Sequence, residues 1–197
     1  METVIIDSGG ANLASLRFAF ERLGASTGVS SDPAVIASAA RVVLPGVGSA
    51  RDAMRRLRDA SIDRLLPRLT QPVLGICLGM QLLFGSSEEG PAQCLGILPG
   101  TVQRLQAAPG RPVPHMGWNQ IEPLREDPLL AGVAPQEYVY FVHSFAVPES
   151  EVTVATTRYG SAVSAVVHQG NFWGTQFHPE RSAGAGARIL KNFLSLR

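Results

Sequence analysis

The chain of 197 residues is 45% hydrophobic and 17% charged, with a formal net charge of +1. That balance supplies ample apolar material for a core without a metal or disulfide staple, and one domain over residues 1–197 is the expectation. It excludes a polybasic nucleic-acid binder, and no apolar run approaches the ~20 residues that span a bilayer.

The two cysteines, Cys77 and Cys94, form neither a metal-spaced pair nor a disulfide framework, so no metal or cofactor is expected. A reducing compartment, the cytoplasm, suits such thiols. The start, METVIIDSGG, lacks the basic and apolar regions of a signal peptide.

In chain order, TVIID is a short β-branched strand that ends at Ser8-Gly9-Gly10. Asn12 can cap the helix that follows, where Leu13, Leu16, Phe20 and Leu23 share a face and Gly24 supplies the stop. RVVLPG is a second strand ending in the turn PGVGSA. An arginine- and leucine-rich helix follows over residues 51–68; its mixed charges read as a solvated face. PVLGI is a third strand and LGMQLLF a helix. Short apolar strands alternating with helices indicate a parallel sheet covered on both faces.

Residues 101–177 change character. TVQRL, WNQIEPL, EYVYFVHSF, EVTVATT, SAVSAVVH and NFWGTQF read as strands separated by turns, and predict antiparallel additions to the sheet. A last helix over 183–195 buries Ile189, Leu190, Phe193 and Leu194, with Ser182 as a candidate cap. The whole predicts an α/β three-layer sandwich with a central mixed, mostly parallel sheet.

Sites in open α/β sheets form at the carboxyl ends of strands. PGVG (45–48), Cys77 and FHPE (177–180) all lie at such ends. In LGICLGM, Cys77 stands between Gly75 and Gly79 after an apolar run. Taken alone, a free cysteine there is a small buried hydrophobe or a nucleophile on a tight turn. As a nucleophile it needs a base and a group to orient the base, and His178 and Glu180 have the chemistry for those roles. A surface His–Glu pair is the alternative reading of that dipeptide step. The backbone N–H of Leu78, with an N–H from the turn Gly46-Val47-Gly48, can meet a developing oxyanion.

The order PGVG, GICLGMQLLF, QFHPERS resembles the triad, or class I, glutamine amidotransferases, over essentially the whole chain. The resemblance implies a flavodoxin-like sandwich that hydrolyses glutamine to glutamate and ammonia through a Cys-His-Glu triad and a thioester. Cys77 would be the nucleophile, His178 the base and Glu180 its orienting partner. Gln81, Glu89 and Gly79 match substrate-binding positions, and the stretch His143-Ser144-Phe145 would lie along bound glutamine.

Within the family, IIDSGGANLASL, SSEEG, HMGWNQI and YFVHSF are similar to the glutaminase subunits of imidazole glycerol phosphate synthases. That similarity implies a heterodimer with a (β/α)8 cyclase subunit in histidine biosynthesis, with Asn12, Trp118 and Arg181 toward the cyclase. Bland alternatives for these three are a helix cap, a core residue and a surface charge. Because free ammonia is useful only if it neither escapes nor picks up a proton, the isolated chain is expected to turn over slowly. Three positions depart from the usual pattern: Ala11 for glycine, Phe145 for tyrosine and Arg181 for lysine. Another triad glutaminase, a nonenzymatic thiol sensor and a purely structural subunit are the competing readings.

Overall fold

The computed structural model describes residues 2–7 and 13–197. The strands β1 (Thr3–Ile6), β2 (Thr27–Ser30), β3 (Arg41–Gly46) and β4 (Val73–Cys77) alternate with helices α1 (Leu13–Arg22), α2 (Pro33–Ala37), α3 (Ala50–Asp59), α4 (Ile62–Leu65) and α5 (Leu78–Leu82). Short strands β5 (Ser86–Ser87) and β6 (Ala92–Gln93) precede β7 (Thr101–Arg104), β8 (His115–Gln120), β9 (Glu122–Pro123), β10 (Tyr138–His143) and β11 (Phe145–Ala146). Then come β12 (Thr153–Tyr159), β13 (Ser161–Gln169), β14 (Phe172–Thr175) and α6 (Ala183–Ser195).

The main sheet has eight strands in the order β2-β1-β3-β4-β14-β13-β12-β9. From β2 to β14 neighbours run parallel; from β14 to β9 they run antiparallel. Both faces are covered. Val4, Ile6, Val42, Leu44 and Val73 pack against Ile36, Met54, Leu57 and Ile62 of α2, α3 and α4. The alternate residues Ile5, Val43, Leu74, Ile76 and Trp173 pack against Leu16 and Phe20 of α1 and Ile189, Leu190 and Phe193 of α6. The period of two therefore sends successive apolar side chains to opposite helical layers, which is why these strands read as unbroken apolar runs.

The expected antiparallel additions divide three ways. Only β13, β12 and β9 extend the main sheet that way; β10 and β8 form a separate ribbon, and β11-β7-β5-β6 a small second sheet. β14 joins the main sheet parallel to β4, with Thr175 opposite Ile76. The helix expected over 51–68 breaks at Ser61, whose backbone is left-handed (φ 59°). Its arginines 51, 55 and 58 are exposed. Ser182 does not cap α6; its hydroxyl donates to His178 O (2.7 Å) and accepts from Tyr140 N (2.9 Å). It thereby ties β10 to the segment after β14. The motif from Ser8 through Asn12, with its expected cap, lies outside the described residues.

Far from that segment, His168 holds together the distal end of the sheet. Its Nδ1 lies 2.6 Å from Asp127 Oδ2, its Nε2 lies 2.9 Å from Gly170 O, and its ring stacks on Trp173 at 4.1 Å. Donating on both nitrogens requires the imidazolium. Burial opposes that charge, but the hydrogen bonds donated to Asp127 and Gly170 O outweigh it and raise the pKa of His168. A raised folded-state value gives stability that is fully present below the ordinary histidine range, near 6.5, and is lost as pH rises through the folded value. A His168→Gln variant should therefore lower the melting temperature by a few degrees at pH 6 and by clearly less at pH 9. Equal losses at both pH values would refute the charged pair.

Candidate active site

Cys77 closes β4 with φ 54° and ψ −113°, a conformation L-residues seldom adopt. The strain aims the side chain out of the strand–helix corner and into a cleft. Glycines make the corner sterically feasible. A Cβ on Gly79 would stand 1.8 Å from Leu44 O, and one on Gly75 2.8 Å from the Gly79 carbonyl. A Cβ on Gly46, which pairs with Cys77 across β3 and β4, would stand 2.9 Å from Gly79 N. Gly79 thus sits beneath the turn, packed on β3, and does not line the cleft.

The cleft holds about 360 Å³. Gly46, Val47, Gly48, Cys77, Leu78, Gln81, Glu89, His143, Ser144, Phe145 and His178 all line it. Two lining residues escaped the sequence reading, Pro114 and Val142. A roomier groove of about 700 Å³ runs past Leu124, Asp127 and Val133, but no Cys, Ser, Thr or His lines it.

His178 arrives on the segment after β14, the strand beside β4, and its backbone N–H donates to Tyr140 O (3.0 Å). Its Nδ1 lies 2.8 Å from Glu180 Oε1, and both side chains are largely buried. With Nδ1–H on the carboxylate, Nε2 is left for the thiol. Burial alone would disfavour the imidazolium; hydrogen bonds to Cys77 and Glu180 overcome it and lift the pKa of His178 to about 10. The Cys77 thiol itself lies 3.7 Å from Val142 O and 3.8 Å from Gln176 Nε2. Cys94 is differently placed: burial pushes its thiol up to about 11, which keeps it unreactive.

Elsewhere in the cleft lining, Gln81 Nε2 donates to Phe145 O (2.8 Å) and to Gln176 Oε1 (2.9 Å). Glu89 Oε2 accepts from Ala50 N at the start of α3 (2.8 Å). Burial raises its pKa, and that N–H pulls it partly back. A carboxylate held this way is ready for a cationic group on a ligand. His143 has a second role. Its Nδ1–H donates to Phe145 O (2.8 Å), so its Nε2 must accept from His115 Nδ1–H (3.0 Å). Burial keeps both rings neutral, with pKa values near 4. This pair joins β8 and β10 beneath the cleft.

The outer face of the same ribbon is apolar and exposed. Trp118 is 51% and Met116 63% exposed, so Trp118 is not core. Trp118 meets Tyr140 edge-on at 6.0 Å, and Arg181 stacks over Tyr140 at 4.7 Å. Asn12, expected on the same face, lies outside the described residues.

A thiol, an imidazole and a carboxylate in line, beside glycine-rich backbone, can open an amide by acyl transfer. Comparison with known proteins agrees. The family model "Glutamine amidotransferase class-I" matches residues 4–196. "Imidazole glycerol phosphate synthase subunit HisH" of Xylella fastidiosa (strain Temecula1 / ATCC 700964) is 54% identical over 195 residues, 99% of this chain and 98% of that one. The protein of the same name from Xanthomonas euvesicatoria pv. vesicatoria (strain 85-10) is 53% identical, with the same coverage. Among solved structures, one described as a glutamine amidotransferase aligns with TM-score 0.77 at 21% identity, covering 99% of this chain and 98% of its own. PurLQS from Thermotoga maritima aligns with TM-score 0.72 at 20% identity, covering 98% and 97%. These two likenesses speak to the fold alone.

Proposed function

Since the chain belongs to the class-I glutamine amidotransferase family, we propose that it is the glutaminase subunit of an imidazole glycerol phosphate synthase. The observation that carries this reading is full-length identity above half to relatives of that name, joined to an intact Cys77–His178–Glu180 array. Residues 1–197 act as one catalytic unit, and the reaction suits the cytoplasm, where a thiol stays reduced.

Glutamine enters the cleft with its α-ammonium toward Glu89 and its chain along Ser144 and Phe145. Gln81 has spent both amide protons on Phe145 O and Gln176, so it offers the substrate only an acceptor. The Cys77 sulfur attacks the carboxamide carbon, and the oxyanion turns toward Leu78 N–H and the turn Gly46-Val47-Gly48. His178 passes its proton to the departing nitrogen, and ammonia leaves a thioester. Water, deprotonated by His178, then cleaves the thioester to glutamate and restores the thiol.

The ammonia serves a cyclase subunit, a (β/α)8 barrel, that makes imidazole glycerol phosphate and an aminoimidazole carboxamide ribotide in histidine biosynthesis. Exposed Trp118 and Arg181, gathered around half-buried Tyr140, adjoin the site and support docking there. Glutamate release is expected to be slow for the chain alone and at least tenfold faster with cyclase and its ribonucleotide ligand. A rate indifferent to the cyclase would keep the glutaminase and remove the partner.

A further inference from the structure

Gln176 is wholly buried and immediately precedes Phe177-His178, yet the triad chemistry leaves it without a task. The amide orientations along its chain of hydrogen bonds can be assigned without ambiguity. Phe145 O can only accept, so the Gln81 atom 2.8 Å from it is the NH2. The second proton of that NH2 goes to the Gln176 side-chain atom 2.9 Å away, which must be the carbonyl oxygen. The remaining Gln176 atom, 3.8 Å from Cys77 Sγ, is therefore an NH2 aimed at sulfur.

We infer that the Gln176 side-chain amide is a catalytic donor to the Cys77 sulfur, held in that sense by Gln81 and the Phe145 carbonyl. A donor favours the anionic sulfur over the thiol, because the anion gains more from the hydrogen bond. The donor leaves the proton-transfer role to His178, which carries the imidazole for it. The donor serves twice. It holds negative charge on sulfur before attack, and again when the thioester breaks and sulfur is the leaving group. Gln81 acts here through Gln176 and is a positioning residue for the nucleophile, in addition to lining the cleft.

The inference rests on Cys77 being the nucleophile, and its test is independent of glutamine turnover. Other ionisable groups near the sulfur are His178, with Glu180 and His143 acting on it, and Glu89 in the lining of the same cleft. The probe is iodoacetamide, with Cys77 alkylation followed by mass spectrometry from pH 5 to 10 on the full chain. Gln176→Met keeps the bulk and removes the donor; Gln176→Glu keeps the shape and sets an oxygen against the sulfur. Expected alkylation at neutral pH falls about tenfold in the Met variant and further in the Glu variant, with both profiles moved to higher pH. A packing role alone leaves the folded variants with the wild-type profile, and that result overturns the proposal. The wild-type chain gives a second reading that needs no variant. The Gln176 side-chain amide proton should shift downfield in NMR with the same pH midpoint as alkylation; an amide indifferent to that titration overturns it too. Loss of turnover in wild type would refute the glutaminase while leaving these profiles intact, so the two failures are distinguishable.

Discussion

A Cys77→Ala chain is expected to lose glutamine hydrolysis by about 10⁵-fold or more in kcat, assayed with cyclase and ligand present. The residual rate reflects only the rest of the cleft, since no other described thiol or amine side chain lines it and its one described hydroxyl, on Ser144, lies outside the Cys77–His178–Glu180 array. Glutamine should still bind, because Glu89, Gln81 and Ser144 are untouched, and calorimetry can read that binding directly. Alanine carries the same Cβ as cysteine, so it keeps the backbone cost of φ 54°. Glycine does not. The Cys77→Gly chain should therefore melt higher than Cys77→Ala, by an amount worth about 1 kcal/mol, while being equally inactive. An alanine variant with more than a hundredth of wild-type turnover would end the nucleophile assignment. Equal melting of the two variants would show that the corner holds no strain.

Glu180→Gln is expected to cost about 10³–10⁴-fold in kcat, with a small change in KM. Glu180 Oε1 takes the Nδ1 proton of His178, and Glu180 Oε2 has no partner among the described residues, so the carboxylate is devoted to the imidazole. An amide can present its NH2 to Nδ1 and select the wrong tautomer, with the proton on the nitrogen that should face sulfur. The pH dependence follows with a definite sign. His178 is opposed by burial but raised to about 10 by Cys77 and Glu180. Losing the carboxylate lowers it, so the alkaline limb of kcat/KM moves to lower pH. The linked stability runs the same way. A raised histidine stabilises the fold fully below about 6.5 and ceases to do so as pH climbs through about 10. The variant should thus be destabilised at neutral pH and match wild type near pH 10. A variant with wild-type kcat would remove Glu180 from the triad.

What the sequence disclosed depended on how local the physics was. RVVLPG and the final helix over 183–195 appear with the bounds expected, because an apolar run with a glycine stop and a one-face periodicity are local signals. The corner at Cys77 was legible for the same reason: Gly75 and Gly79 have no room for side chains. β2 escaped notice because TGVS carries a single large apolar residue at a sheet edge. α2 announces itself through Asp32 capping Ala34 N ahead of Pro33, a signal that was there to read. Gln176 was hidden inside a strand-like run, since nothing local reveals that a polar side chain meets a cysteine 99 positions earlier. The His115–His143 pair depends on antiparallel register between β8 and β10, which spacing alone does not specify. Ser182 looked like a cap because its neighbours are helical, and its two distant hydrogen bonds won instead.

The place of β14 between β4 and β13 also governs how this molecule is made. On the ribosome, β4 emerges with its apolar side chains and one unpaired row of backbone groups, and the strand that covers them follows about a hundred residues later. At roughly 5–20 residues per second, that is an interval on the order of 5–20 s. Throughout it the nascent chain presents an open, hydrophobic sheet edge, the kind that invites wrong pairing. The same late arrival brings His178 and Glu180, so one stretch of chain both covers the open edge and sets an imidazole and a carboxylate at the end of β4.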